Sequence, residues 1–160
     1  MLMKSCLLAL LLLSFSYAAF SEECPINWKQ TSYSNGSFFV PPFVTWALDP
    51  TAGWQDISTY NKDYWDEYDW SDYNPRKKTN LKQFPNVKVR VYLSSNGNVI
   101  CVFDVFHYKE NFGDNGNVNG ASMSLQARST AVTDIAHTKF PTNGNACVTT
   151  LDHLDECSWT

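Results

Sequence analysis

Residues 87 to 108 carry a pattern that specifies an antiparallel strand pair. Val87, Val89, Val91 and Leu93 alternate with Lys88, Arg90 and Tyr92, which puts the apolar side chains on one face of a pleated strand. Ser94-Ser95-Asn96-Gly97-Asn98 follows. Asn-Gly predicts a two-residue hairpin turn, because both residues tolerate positive φ. Val99 to Tyr108 is β-branched and aromatic almost throughout, so it reads as the returning strand, buried on both faces.

The same two-residue period recurs downstream. Met123, Leu125 and Ala127 alternate with Ser122, Ser124 and Gln126 over Ala121 to Arg128, and Ala146 to Leu151 forms a short terminal strand. Ala131 to His137 reads as a strand or one turn of helix. Asn111 to Gly120, dense in Asn and Gly, is a loop, and Pro141 to Asn145 is a second turn cluster. Upstream, Ser37 to Val44 is extended, and Pro41-Pro42 places it at a sheet edge. No stretch shows a sustained 3.6-residue apolar period. The fold class expected is therefore mostly β: one antiparallel sandwich or small barrel, reinforced by disulfides.

The disulfides follow from the start of the chain. Lys4, the apolar run Leu7 to Leu13 and the small residues of Ser16-Tyr17-Ala18 and Ala19-Phe20-Ser21 have the order of a secretory signal peptide. The run is too short to cross a bilayer, which takes about 20 residues. The expected organisation is a signal peptide over 1–21 and one secreted domain over 22–160, with no membrane insertion. That domain keeps four cysteines, Cys24, Cys101, Cys147 and Cys157, and an even number in an oxidising compartment points to two disulfides. Spacing leaves all three pairings open. A zinc site is disfavoured, since no Cys-x-x-Cys pair exists and no histidine stands at a finger-like offset.

Asp49 to Tyr73 is the most unusual segment. It holds seven acids (Asp49, Asp56, Asp63, Asp66, Glu67, Asp69, Asp72) against the single base Lys62. Among them stand Trp54, Tyr60, Tyr64, Trp65, Tyr68, Trp70 and Tyr73, and six bases without an acid follow, from Arg76 to Arg90. One reading makes the aromatics a core stripe whose acids pair with those bases across strands. The preferred reading is a binding surface for an extracellular protein with a basic face: Trp and Tyr are enriched in binding hot spots, and acids steer a basic partner. Its residues are Trp54, Asp63, Tyr64, Trp65, Asp66, Glu67, Tyr68, Asp69, Trp70 and Tyr73, with Trp65, Tyr68 and Trp70 as anchors. Tyr64, Tyr68 and Tyr73 lie among acids and fit the pattern of sulfated tyrosines. Two alternatives are a lectin-like module, with aromatic faces stacking on sugar rings, and a structural matrix protein. Asn35-Gly36-Ser37 is a glycosylation sequon in a polar stretch, making Asn35 the expected acceptor.

Other chemistry finds little support. With Lys+Arg 12 against Asp+Glu 16, the chain gives no general reason to bind nucleic acid. Asn115, Asn117 and Asn119 alternate like calcium ligands, but the carboxylates and flanking helices of that motif are missing. His107, His137 and His153 accompany no nucleophile signature, and no Gly-rich phosphate loop exists. His107 lies in an apolar strand, and His153 stands among acids near Cys157. The expectation is a binding protein without a cofactor, not an enzyme.

Overall fold

The structure is a computed structural model and describes residues 22–40, 42–50, 53–64, 79–84, 87–107, 121–133 and 146–160. The chain is mostly β. A three-stranded sheet runs in the order β1-β2-β4, from β1 (Trp28–Ser34), β2 (Phe43–Leu48) and β4 (Lys62–Tyr64). A five-stranded sheet runs β3-β7-β6-β5-β8, from β3 (Trp54–Asp56), β7 (Ala121–Val132), β6 (Asn98–His107), β5 (Lys88–Leu93) and β8 (Cys147–Thr150). Every strand pair is antiparallel, and neither sheet closes on itself. Of the two expected architectures, the sandwich is the one formed.

One core joins the sheets. Trp28, Val44, Trp46 and Leu48 come from the first; Val89, Val91, Val99, Phe103, Val105, Met123, Leu125 and Ala127 come from the second. Trp28 meets Phe103 edge-to-face across the interface, with ring centroids 5.8 Å apart, a geometry that aromatic quadrupoles favour. The sheets also share a corner. After β3, Ile57 donates to the Gln126 carbonyl and Tyr60 accepts from the Ser124 amide, both on β7. Two residues later the same chain pairs with β2 as β4. The alternations of β5 and β7 are realised, with Val89, Val91, Met123, Leu125 and Ala127 all buried. β6 is the central strand, and Val99 to Phe103 is buried on both faces as expected.

The hairpin turn differs from the sequence expectation. Ser94 and Asn98 close a three-residue connection, with the Ser94 amide donating to the Asn98 carbonyl and the Gly97 amide to the Ser94 carbonyl. Gly97 carries the left-handed glycine conformation, at φ 80°, as in a turn followed by a glycine bulge. The extra residue lets Asn98 reach the β7 backbone: its Nδ2 donates to the Ser129 carbonyl at 3.0 Å and the Ala131 carbonyl at 3.3 Å. A Cβ at Gly97 would lie 2.7 Å from Val132 Cγ1. Gly97→Ala is therefore expected to lower unfolding stability by about 1–2 kcal/mol, read as a lower urea midpoint; an unchanged midpoint would contradict this account of the turn.

The second difference lies upstream. Pro41-Pro42 precedes a strand instead of interrupting one, and β2 sits in the middle of its sheet, not at an edge. Strand pairing begins at Phe43, just past the ring that lacks a donor. Both disulfides are formed, Cys24–Cys101 and Cys147–Cys157. The expected signal peptide, the loop Asn111 to Gly120, the turn Pro141 to Asn145, and His137 lie outside the described residues.

Candidate functional site

β1 and β2 form a hairpin whose last pair is Ser34 with Phe43. Beyond that pair the chain projects from the sheet. Gly36 turns at φ 76°, and its amide donates to Ser34 Oγ at 3.2 Å. Ser37 and Val40 then close a tight turn: the Ser37 amide donates to the Val40 carbonyl at 2.7 Å and the Val40 amide to the Ser37 carbonyl at 3.2 Å. The two residues at its apex are Phe38 and Phe39, 94% and 89% exposed. Their rings meet edge-to-face at 4.9 Å, and Val40 beside them is also exposed.

Turn chemistry does not account for this pair. Apex positions favour Gly, Asn, Asp, Pro or Ser, each for a local backbone reason. Phe supplies none of these, and an exposed ring gains nothing from the core. Two adjacent phenylalanines held at the furthest point of a hairpin are an apolar wedge facing solvent, the type of feature that marks an interaction site. Asn35, the expected glycan acceptor, is exposed in the same connection.

The acidic-aromatic segment meets this end of the sheet. β4 pairs with β2 so that Tyr64, the last described residue of this stretch, stands opposite Phe43. Lys62 on β4 places its ammonium 4.6 Å from the centre of the Phe43 ring. Trp65, Asp66, Glu67, Tyr68, Asp69, Trp70 and Tyr73 lie outside the described residues.

Three acids of the segment have structural tasks. Asp49 pairs with Lys29 at 2.7 Å. Asp56 accepts from the Leu48 amide at 3.0 Å and the Ser58 amide at 2.9 Å, fixing the turn between β3 and the sheet corner. Asp63 corrects its expected role as steering charge, being only 1% exposed. Its register partner Val44 is a core residue, so the pleat aims Asp63 between the sheets. Trp54 is half-buried against the core and meets Trp159 edge-to-face at 5.9 Å. Asp72, like Asp66, Glu67 and Asp69, lies outside the described residues.

The bases are divided likewise. Arg90 binds Asp104 with both ends of its guanidinium, Nε to Oδ2 at 2.7 Å and Nη2 to Oδ1 at 3.1 Å. That hydrogen bond raises the Arg90 pKa above its usual value, against the opposing effect of desolvation. Arg90 thus pairs with β6 and not with the acidic segment, as the core-stripe reading would have had it. His153 is exposed, and its carbonyl accepts from Thr149 Oγ1 at 2.7 Å. Cys157 beside it is in a disulfide. No group of three or more His, Cys, Asp or Glu could hold a metal ion among the described residues. Nor is any helix among them long and apolar enough to cross a membrane.

Compared with protein-family models, curated proteins and solved structures, the chain matches none.

Sequence reasoning passed over Phe38 and Phe39 because Ser-Phe-Phe-Val reads as strand. A usable signal was present: the pair is confined between Asn35-Gly36 and Pro41-Pro42, two breakers that leave no room for a strand.

Proposed function

We propose that this protein is a secreted extracellular binding protein for a protein partner with a basic surface. Phe38 and Phe39 enter an apolar pocket on the partner, and Asp66, Glu67, Asp69 and Asp72 lie against its basic rim. Sulfation of Tyr64, Tyr68 or Tyr73 would add to that negative charge, and Asn35 carries the N-glycan of a secreted chain. The observation that carries the reading is the nearly complete exposure of both apex phenylalanines. Each ring offers a large apolar area at little cost in side-chain entropy, which is what a hot-spot anchor needs. Two disulfides suit an oxidising compartment.

The test uses a library of random peptides displayed on phage and selected on the immobilised protein. Peptides combining aromatic or aliphatic residues with Lys or Arg are expected, bound more weakly as salt rises. Phe38→Ser with Phe39→Ser should abolish capture without changing the unfolding midpoint. Replacing Asp66, Glu67 and Asp69 together by Asn should weaken binding and flatten its salt dependence. Selection that is indifferent to both variants would overturn the proposal. So would salt-insensitive binding to neutral phosphatidylcholine vesicles through the two phenylalanines, which would assign the wedge to a membrane surface.

A further inference from the structure

The opposite end of the three-stranded sheet carries a second feature, separated from the hairpin tip by the length of β1, about 20 Å at strand rise. A cleft of about 600 Å³ opens there between the start of β1, the residue after β2 and the turn 79–83. That volume lies within the range of small-ligand sites, about 300–1,000 Å³. Its walls are held firmly. The Asp49 amide donates to the Asn27 carbonyl at 2.7 Å, and the Trp28 indole donates to the Pro25 carbonyl at 3.1 Å. Across the cleft, Leu81 and Phe84 anchor the turn in the core, with Phe84 edge-to-face on Trp46 at 5.5 Å. Gln83 Oε1 ties the turn from within, accepting from the Asn80 amide and Thr79 Oγ1, each at 3.2 Å.

The polar groups converge with a definite chemistry. Lys29 and Asp49 form an ion pair at 2.7 Å, partly open to solvent. Lys82 lines the cleft from the anchored turn and is exposed, with no hydrogen bond or ion pair among the described residues. Among the described residues the cleft therefore presents one uncompensated positive charge, on a chain that is acidic as a whole. Beside it stand a carboxylate that accepts and an amide, Asn80, that does both. Ile26, half-buried, supplies a small apolar surface.

We propose that this cleft binds an anionic saccharide. Its carboxylate or sulfate pairs with the Lys82 ammonium, its ring hydroxyls exchange hydrogen bonds with Asp49 and Asn80, and a ring C–H face rests on Ile26. Hydroxyls both donate and accept, so adjacent donors and acceptors on a rigid wall suit them. A nucleobase would need an exposed aromatic face and a lipid a deeper apolar lining; Trp28 is buried, and the cleft supplies neither. The site is independent of the hairpin tip.

The test follows amide chemical shifts of the full secreted protein during titration with three probes: a heparin tetrasaccharide, a glucuronate-containing disaccharide and neutral cellobiose. Saturable shifts confined to residues 26–29, 49 and 79–83 are expected with the acidic probes; the two probes separate sulfate from carboxylate recognition. Lys82→Gln should weaken the better acidic probe about tenfold, the scale of one charge-assisted hydrogen bond, and leave cellobiose unchanged. The Phe38→Ser, Phe39→Ser variant should bind saccharide as the wild type does, which keeps this outcome separate from the fate of the hairpin-tip reading. Absence of saturable shifts, shifts mapping elsewhere, or equal affinity in Lys82→Gln would overturn the proposal.

Discussion

Replacing Cys24 and Cys101 together by Ala should lower stability by about 4–5 kcal/mol, against about 2.5–3 kcal/mol for the Cys147, Cys157 pair. The difference comes from loop length. The first disulfide spans a sequence separation of 77 and the second only 10, so the first removes far more conformational freedom from the unfolded chain. Location acts in the same direction. Cys24 and Cys101 are both buried, and Cys101 lies on the central strand β6, whereas Cys147 is only half-buried. Cys24 also precedes Trp28, so losing this bond frees the segment that leads into β1. Urea unfolding of the two double variants beside the wild type gives the ordering directly. Equal losses, or a larger loss from the shorter loop, would contradict it.

The second large effect compares one substitution in two environments. Phe103→Ala should cost about 3–5 kcal/mol, because the ring is fully buried at the centre of β6 and packs edge-to-face on Trp28. Phe38→Ala should change stability by no more than about 0.5 kcal/mol, since that ring buries almost nothing. The same atoms are removed in both cases, and only the surroundings differ. Chemical denaturation of both variants measures the contrast. A loss above about 1 kcal/mol at Phe38 would mean that its ring stabilises the fold, and the argument for a surface kept for binding would fail with it.

What could be read from the sequence was whatever strand period alone determines. β5 and β7 place Val89, Val91, Met123, Leu125 and Ala127 inward because alternation and pleat have the same period. The burial of Val99 to Phe103 on both faces followed from the apolar run of β6. β1 was not legible: in Trp-Lys-Gln-Thr-Ser-Tyr-Ser only Trp28 is buried, and a bulge between Gln30 and Ser32 breaks its register. β3 and β4, at three residues each, are too short to show a period and exist through their partners. The cysteine pairing was equally hidden, since which sulfurs meet is settled by packing across the sheets.

The candidate surface shows the same division between local and tertiary information. The sequence displays seven acids alike, yet the fold buries Asp63 between the sheets and gives Asp49 and Asp56 partners of their own. Charge counted along a chain overstates the charge a surface presents. Apolar residues mislead in the opposite sense: Phe38 and Phe103 both stand in apolar runs that read as strand, and the placement of a turn separates them. Asn35-Gly36 and Pro41-Pro42 carry that placement in the sequence, and the hydrogen bonds between Ser37 and Val40 complete it.

The central claim is that Phe38 and Phe39 are exposed in order to bind. Its most direct measurement is the affinity of the Phe38→Ser, Phe39→Ser variant for peptides selected on the wild type, at matched fold stability. A loss of at least about thirtyfold is expected, the scale of a removed hot spot, with the urea midpoint unchanged. Affinity retained within about twofold would contradict it.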